Sequence, residues 1–187
     1  MLCALLQPTT SRAQSREYHV DATESRFNFT VDHFGVATVN GSFLSGAGVI
    51  FFDPEHPDSM RAELSIDVQS VDTGNGLRDK ELRSEDFLDV RRYPTVSFNT
   101  TGMADASVGA DPGIRMVRGL MTLYGNTMEI EVPVHVRLDP SGRAIRIESD
   151  FNLSRKDFDL KFGILMDSLV GDEIRVSVSV VGKLTER

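Results

Sequence analysis

Alternation with a period of two governs this chain. From Met128 to Leu138, apolar Met128, Ile130, Val132, Val134, Val136 and Leu138 alternate with Glu129, Glu131, Pro133, His135 and Arg137. A strand points successive side chains to opposite faces, so this run has one apolar face and one wet face. Ile174, Val176, Val178 and Val180 repeat the pattern against Arg175, Ser177 and Ser179. Shorter versions occur at Phe27-Phe29-Val31, Leu64-Ile66-Val68, Val96-Phe98 and Ile145-Ile147. The runs predict strands near 17–20, 26–33, 41–52, 60–70, 95–101, 114–123, 128–138, 144–153 and 173–184. Turn chemistry separates them: Gly125-Asn126 suits a two-residue hairpin, and Asp139-Pro140-Ser141-Gly142 a longer one. Long consecutive antiparallel strands favour an up-and-down barrel over a sandwich. Pro133 must sit at a bulge or where its missing donor is not needed.

One segment breaks the rhythm. Alternation stops at Thr73 and resumes after Tyr93-Pro94, and the residues between are mostly charged. Leu77, Leu82, Phe87 and Leu88 are their apolar anchors. Helix is expected only within 76–91, with Asn75 and Ser84 as N-caps ahead of acidic turns. Loops of this size act as lids, caps or binding elements.

The 187 residues suffice for one domain, and 40% hydrophobic with 26% charged residues fits a globular chain. A net charge of −8 disfavours nucleic acid and anionic membrane surfaces as partners. No apolar run reaches the roughly 18 residues of a transmembrane helix. Residues 1–13 differ from the rest: an apolar run from Met1 to Leu6, then Pro8, then Ser11-Arg12-Ala13, which has the small-x-small form of a cleavage site. They are read as the remnant of a secretory signal, ahead of one domain at 14–187. The single cysteine, Cys3, lies in this leader, so a chain beginning at Gln14 has no thiol.

An eight-stranded barrel either fills its interior with side chains or holds one small ligand. With 11 Phe, 7 Met and no Trp, composition suits either. The histidines His19, His33, His56 and His135 are scattered, without metal-ligand spacing. Nucleophile elbows, phosphate-binding loops and dinucleotide fingerprints are absent. Asp72, Asp79, Glu85, Asp86 and Asp89 crowd the insertion, but Arg78, Lys80, Arg83, Arg91 and Arg92 interleave with them, as ion pairs and caps do. Four Asn-x-Ser/Thr sequons, at Asn28, Asn40, Asn99 and Asn152, lie in or beside strands and are read as coincidental.

Several blocks together resemble a known family. Phe29-x-Val31-x-His33-x-Gly35 is followed by Val39-x-Gly41-x-Phe43. Ile66-Asp67-Val68-x-Ser70-Val71-Asp72-Thr73-Gly74-Asn75 leads to Arg78-Asp79-x-x-Leu82-Arg83-Ser84-x-Asp86-Phe87-Leu88-Asp89-Val90, then to Tyr93-Pro94-Thr95-Val96-Ser97-Phe98. Gly119-Leu120-Met121-Thr122-Leu123-Tyr124-Gly125-Asn126-Thr127 completes the set. These blocks resemble the YceI-like, polyisoprenoid-binding family. The resemblance implies an all-β, eight-stranded antiparallel lipocalin-like barrel with a short helical insertion, secreted to the bacterial periplasm. It also implies a bound isoprenoid, isoprenoid quinone or similar long-chain lipid and no covalent cofactor. On that footing Phe27, Phe29, Val31, Phe43, Leu64, Ile66, Val68, Val96 and Phe98 are expected to line the lumen, with Leu77, Leu82 and Phe87 lining the lid. His33, Asp79, Asp86 and Arg155 are expected at the mouth or as anchors of the insertion. The expected partner is the lipid, with a second copy of the chain as a further candidate. Two departures stand out: Met128-Glu129 occupy positions where the family has a basic residue and proline, and Asp159 stands where it has glycine. The competing expectations are an enzyme acting on such a lipid, and a packed structural domain.

Overall fold

The computed structural model describes residues 15–33, 37–104, 113–162, 167 and 169–185, so the expected leader lies outside it. The strands are β1 (Arg16–Val20), β2 (Arg26–His33), β3 (Ala37–Phe43), β4 (Gly46–Phe52), β5 (Arg61–Asp67), β6 (Val71–Asp72), β7 (Thr95–Met103), β8 (Ile114–Leu123), β9 (Asn126–Leu138), β10 (Ala144–Ser154) and β11 (Val170–Leu184). A helix, α1 (Gly76–Leu82), follows β6.

Eleven strands make eight staves. β1 and β2 both pair with the long β11, β4 and β3 pair in turn with β1 and β2, and β5 and β6 with β4 and β3. Each of these three couples is one stave with a break, and β7 to β11 supply the other five. β11 pairs with both β10 and the first stave, so the sheet closes as an antiparallel up-and-down barrel.

The breaks explain where alternation misled. The expected strand at 41–52 is interrupted at Leu44-Ser45, and the one at 60–70 gives way to a 3-10 turn, Val68–Ser70. The Asp67 carboxylate accepts the Gln69 N–H at 2.9 Å, which draws the backbone out of the extended form. The two interruptions face each other: the Leu44 N–H donates to the Ser70 carbonyl at 3.2 Å. In the insertion α1 ends at Leu82, and turns follow to Arg92. Asn75 caps it, accepting from the N–H groups of Leu77 and Arg78 at 3.1 and 3.2 Å. Ser84 caps no helix; its hydroxyl donates back to the Glu81 carbonyl at 2.6 Å.

The β8–β9 turn is centred one residue earlier than expected, on Tyr124 (φ 51°) and Gly125 (φ 77°). A type I′ hairpin turn needs positive φ at both central positions. The Tyr124 ring packs at a tilt against Tyr93, 4.3 Å between centroids, and a Cβ on Gly125 would lie 2.5 Å from the Tyr93 ring, so this second position excludes a side chain.

Candidate functional site

The two halves of the barrel are filled differently. At the base, where β1 meets the end of β11, Tyr18, Ile50, Phe52, Met60, Val117, Ile145 and Val180 form a packed cluster. The Tyr18 hydroxyl donates to the Gly142 carbonyl at 3.0 Å, satisfying the one polar group in that plug. At the other end, beneath α1, lies a cavity of about 300 Å³. Its walls include Phe27, Phe29, Val31 and His33 of β2, Phe43 of β3, Ile66 of β5 and Val96 of β7. The N-terminal half of β11 adds Val170, Ile174, Val176 and Val178. A second cavity of about 100 Å³ lies towards the base, walled by Leu64, Phe98, Val132, Ser149 and Phe151, with Ile50, Met60, Val117 and Val180 of the packed cluster at its floor. Both cavities touch Phe27, Ile66, Val96, Met121, Val176 and Val178, so they are successive chambers of one lumen.

Glycines let the rings lie against the wall. A Cβ on Gly41 would fall 2.3 Å from the Phe29 ring, and one on Gly46 would fall 2.6 Å from Phe27. The absence of those atoms lets both rings lie on the neighbouring stave, and Phe29 meets Phe43 at 5.4 Å.

Two segments roof the mouth. From the insertion come Leu82, Phe87 and Leu88; from the turn after β10 come Leu160 and Phe162. Phe87 and Phe162 join across it at 5.1 Å. The fully buried Arg155 holds the second segment. Its guanidinium donates to the carbonyls of Gly171, Leu160, Asp167 and Val170 at 3.0, 2.9, 2.8 and 3.1 Å, and to the Asp167 carboxylate at 2.7 Å. Five donors meet five acceptors, which a buried cation requires. The Phe162 N–H and Arg155 hold the Asp167 carboxyl below its ordinary value.

Asp79 plays the matching part in the insertion. Its buried carboxylate accepts from the Thr73 hydroxyl at 2.6 Å and the Thr73 N–H at 2.9 Å, tying α1 to the end of β6. The Thr73 hydroxyl bond, aided by Arg83 and Arg78, holds its carboxyl below the usual range against the opposing effect of burial. Polar groups at the rim are also engaged: Arg78 donates to the Thr73 hydroxyl and carbonyl at 2.8 and 2.9 Å, and Asp32 pairs with Arg175 at 2.9 Å. Among the described residues no group of three or more His, Cys, Asp or Glu could hold a metal.

Residues 18–182 match the family model for the YceI-like domain. The chain belongs to the YceI-like family. "Protein YceI" of Salmonella arizonae is 28% identical over 180 residues, covering 93% of this chain and 90% of that protein. The crystal structure of BcnA from Burkholderia cenocepacia superposes with a TM-score of 0.76 at 24% identity, over 87% of this chain and 98% of the other. A domain from Saccharophagus degradans, described as polyisoprenoid binding, superposes at 0.71 with 20% identity, over 92% of this chain and all of that one (100%). These likenesses carry the fold.

Within this YceI-like barrel, the expected site residues fall into groups. Phe27, Phe29, Val31, Phe43, Ile66, Val96, Leu82, Phe87, His33 and Arg155 all border the larger chamber. Leu64 and Phe98 face each other across β5 and β7 and line the smaller one. Val68 lines neither: its 3-10 turn packs it behind the wall with Val90, Val96 and Phe158. Leu77 corrects the lid expectation, being 84% exposed, because the cap at Asn75 sets it on the outer side of α1 while Leu82 turns inward. Asp86 is exposed on the outer side of the insertion, away from the cavity lining. Ile174, Val176 and Val178 were legible as a strand face, yet their place beside β2 follows only from barrel closure. Leu160 and Phe162 sit in a turn with no periodicity to reveal them.

Proposed function

We propose that this protein binds a single long apolar chain, of the isoprenoid or isoprenoid-quinone class, and carries it through the bacterial periplasm. The observation that carries this reading is the lumen: about 300 Å³ beneath a roof, adjoining about 100 Å³ below across shared side chains, walled by aliphatic and aromatic side chains. That size lies within the range of small-molecule sites. A hydrocarbon tail has no hydrogen-bonding groups, so such walls leave nothing unsatisfied, and each buried methylene contributes about 0.8 kcal/mol. The polar groups of Arg155, Asp79 and Arg78 are engaged in holding the roof, which supports binding over catalysis. The description of the Saccharophagus degradans domain as polyisoprenoid binding supports the ligand class. The signal-like residues 1–13 support export.

The test is extraction of protein purified from a bacterial periplasm with organic solvent, followed by mass spectrometry and titration of the emptied protein with isoprenoid quinones. A stoichiometric prenyl lipid and saturable uptake are expected. Recovery of no lipid together with no uptake would overturn the reading.

A further inference from the structure

One seam of the barrel is unzipped. β9 and β10 pair only from Ile145↔Leu138 to Glu148↔His135, although both strands continue towards the mouth. β9 remains paired with β8 down to Asn126, and β10 with β11 as far as Ser154. The ladder stops where Pro133 arrives.

The cause lies in the backbone. The Asp139 N–H donates to the Ala144 carbonyl at 2.9 Å, so alternate residues of β9, Arg137, His135 and Pro133, turn their backbone groups towards β10. At Pro133 the next rung has no donor. Its carbonyl is taken by the Ser149 hydroxyl at 2.6 Å, in place of the Asp150 N–H. Near the mouth the seam is crossed again, where the Asn126 side-chain amide donates to the Phe158 carbonyl at 2.7 Å.

This seam borders the lumen. Val132, Ser149 and Phe151, on its two sides, are walls of the smaller chamber. That chamber has no way out through the base, where Tyr18 and Ile50 are fully buried and Val117, Ile145 and Val180 are 1% exposed. Exposed Glu129, Glu131 and Asp150 rim the seam outside; Arg118 pairs with Glu131 at 2.8 Å, and the remaining carboxylates disfavour anionic head groups and leave apolar chain as the passenger. We propose that the β9–β10 seam is a lateral exit, through which a tail too long for the lumen leaves between Val132 and Phe151. The proposal rests on the lipid-binding reading above and adds a rule to it: tail length is limited by the seam and not by the plugged base.

The test compares farnesyl-tailed and solanesyl-tailed benzoquinones on wild type and two sealed proteins. Pro133→Val with Ser149→Ala restores the missing donor and frees its acceptor. Glu131→Cys with Asn152→Cys, on a Cys3→Ser background, staples the seam and is read before and after reduction. Both probes should bind wild type, and sealing should spare the farnesyl probe while weakening the solanesyl probe at least about tenfold, reversibly for the staple. Equal affinity of sealed and wild-type protein for the long tail overturns the exit. So does a wild type that binds only the short tail. Wild type that binds neither probe overturns the lipid-binding reading itself. Amide exchange checks the seam without ligand: Glu131 and Asn152, facing it, should exchange faster than Val132 and Phe151, and equal protection overturns the proposal even if a sealed variant does not fold.

Discussion

The base and mouth halves of this barrel are built from the same staves and the same alternation, yet the base closes on a packed floor under a small chamber, while the mouth is hollow. At the base, Tyr18 and Ile50 are wholly buried and a tyrosine hydroxyl is satisfied inside the plug. At the mouth, Phe29, Val31, Ile66 and Val176 are only half-buried and face open space. Apolar groups facing a void lose the dispersion contacts that a packed neighbour supplies. The mouth half therefore contributes less to stability than its composition suggests. The difference teaches that the base carries the fold, which leaves the mouth free to keep an open lumen.

The sharpest way to break this comparison is to place one charge in each half. Ile50→Asp puts a carboxylate into the plug, a cost of several kcal/mol against a total stability of about 5–15 kcal/mol, and the protein should fail to fold. Phe29→Asp should keep a cooperative thermal transition while abolishing quinone uptake. If both variants melt alike, the division between halves is wrong.

Next in size is the clamp on the roof. Arg155→Ala leaves four carbonyls, the buried Leu160 carbonyl among them, and the Asp167 carboxylate without their donor, and should lower stability by about 3 kcal/mol in chemical denaturation. Arg155→Lys should recover little, because an ammonium has three donors and no planar fork. A change below 1 kcal/mol for the alanine variant, roughly the worth of an exposed pair, would remove Arg155 from the account.

A gain is expected at Asp159. Its φ of 55° lies in the left-handed region, and it stands where the resemblance places glycine. Asp159→Gly should relieve about 1 kcal/mol of backbone strain, visible as a higher melting temperature. It should act through the mouth turn, leaving amide exchange at Tyr18 and Ile50 unchanged.

The smallest effect is local and depends on pH. The Asp79 carboxyl titrates lower in the folded chain than in the unfolded one, chiefly through the Thr73 hydroxyl bond. Its contribution is thus fully present above the ordinary carboxylate value of about 3.9, and is lost as pH falls through the lower folded value. Protection of the Thr73 amide should stay flat from neutral pH to about that value and decline only below it. Decline near neutral pH would mean that another group holds α1.

The fold was largely legible because period-two alternation reports directly on which face of a strand is buried. Met128 to Leu138 and Ile174 to Val180 needed no structure to be read as strands. Alternation cannot show where side-chain hydrogen bonds bend a strand, so the breaks at Leu44-Ser45 and Val68–Ser70 went unread, and Val68 was expected in the lumen. The site was legible where a residue sits on a regular strand, as Phe27, Phe29 and Val31 do. Leu77 was misread because its orientation depends on the helix start at Asn75. The missing donor of Pro133 is plain in the sequence, but only the β9–β10 register shows that it ends a ladder.

The most direct test of the two-half account is a methyl spectrum recorded during titration with a farnesyl-tailed quinone. The account predicts saturable shifts for Val31, Ile66, Leu82 and Val176 around the larger chamber, with Ile145, Leu138 and Leu184 at the base, which line neither chamber, unmoved. Shifts centred on the base methyls, or confined to the outer face of the barrel, would contradict it.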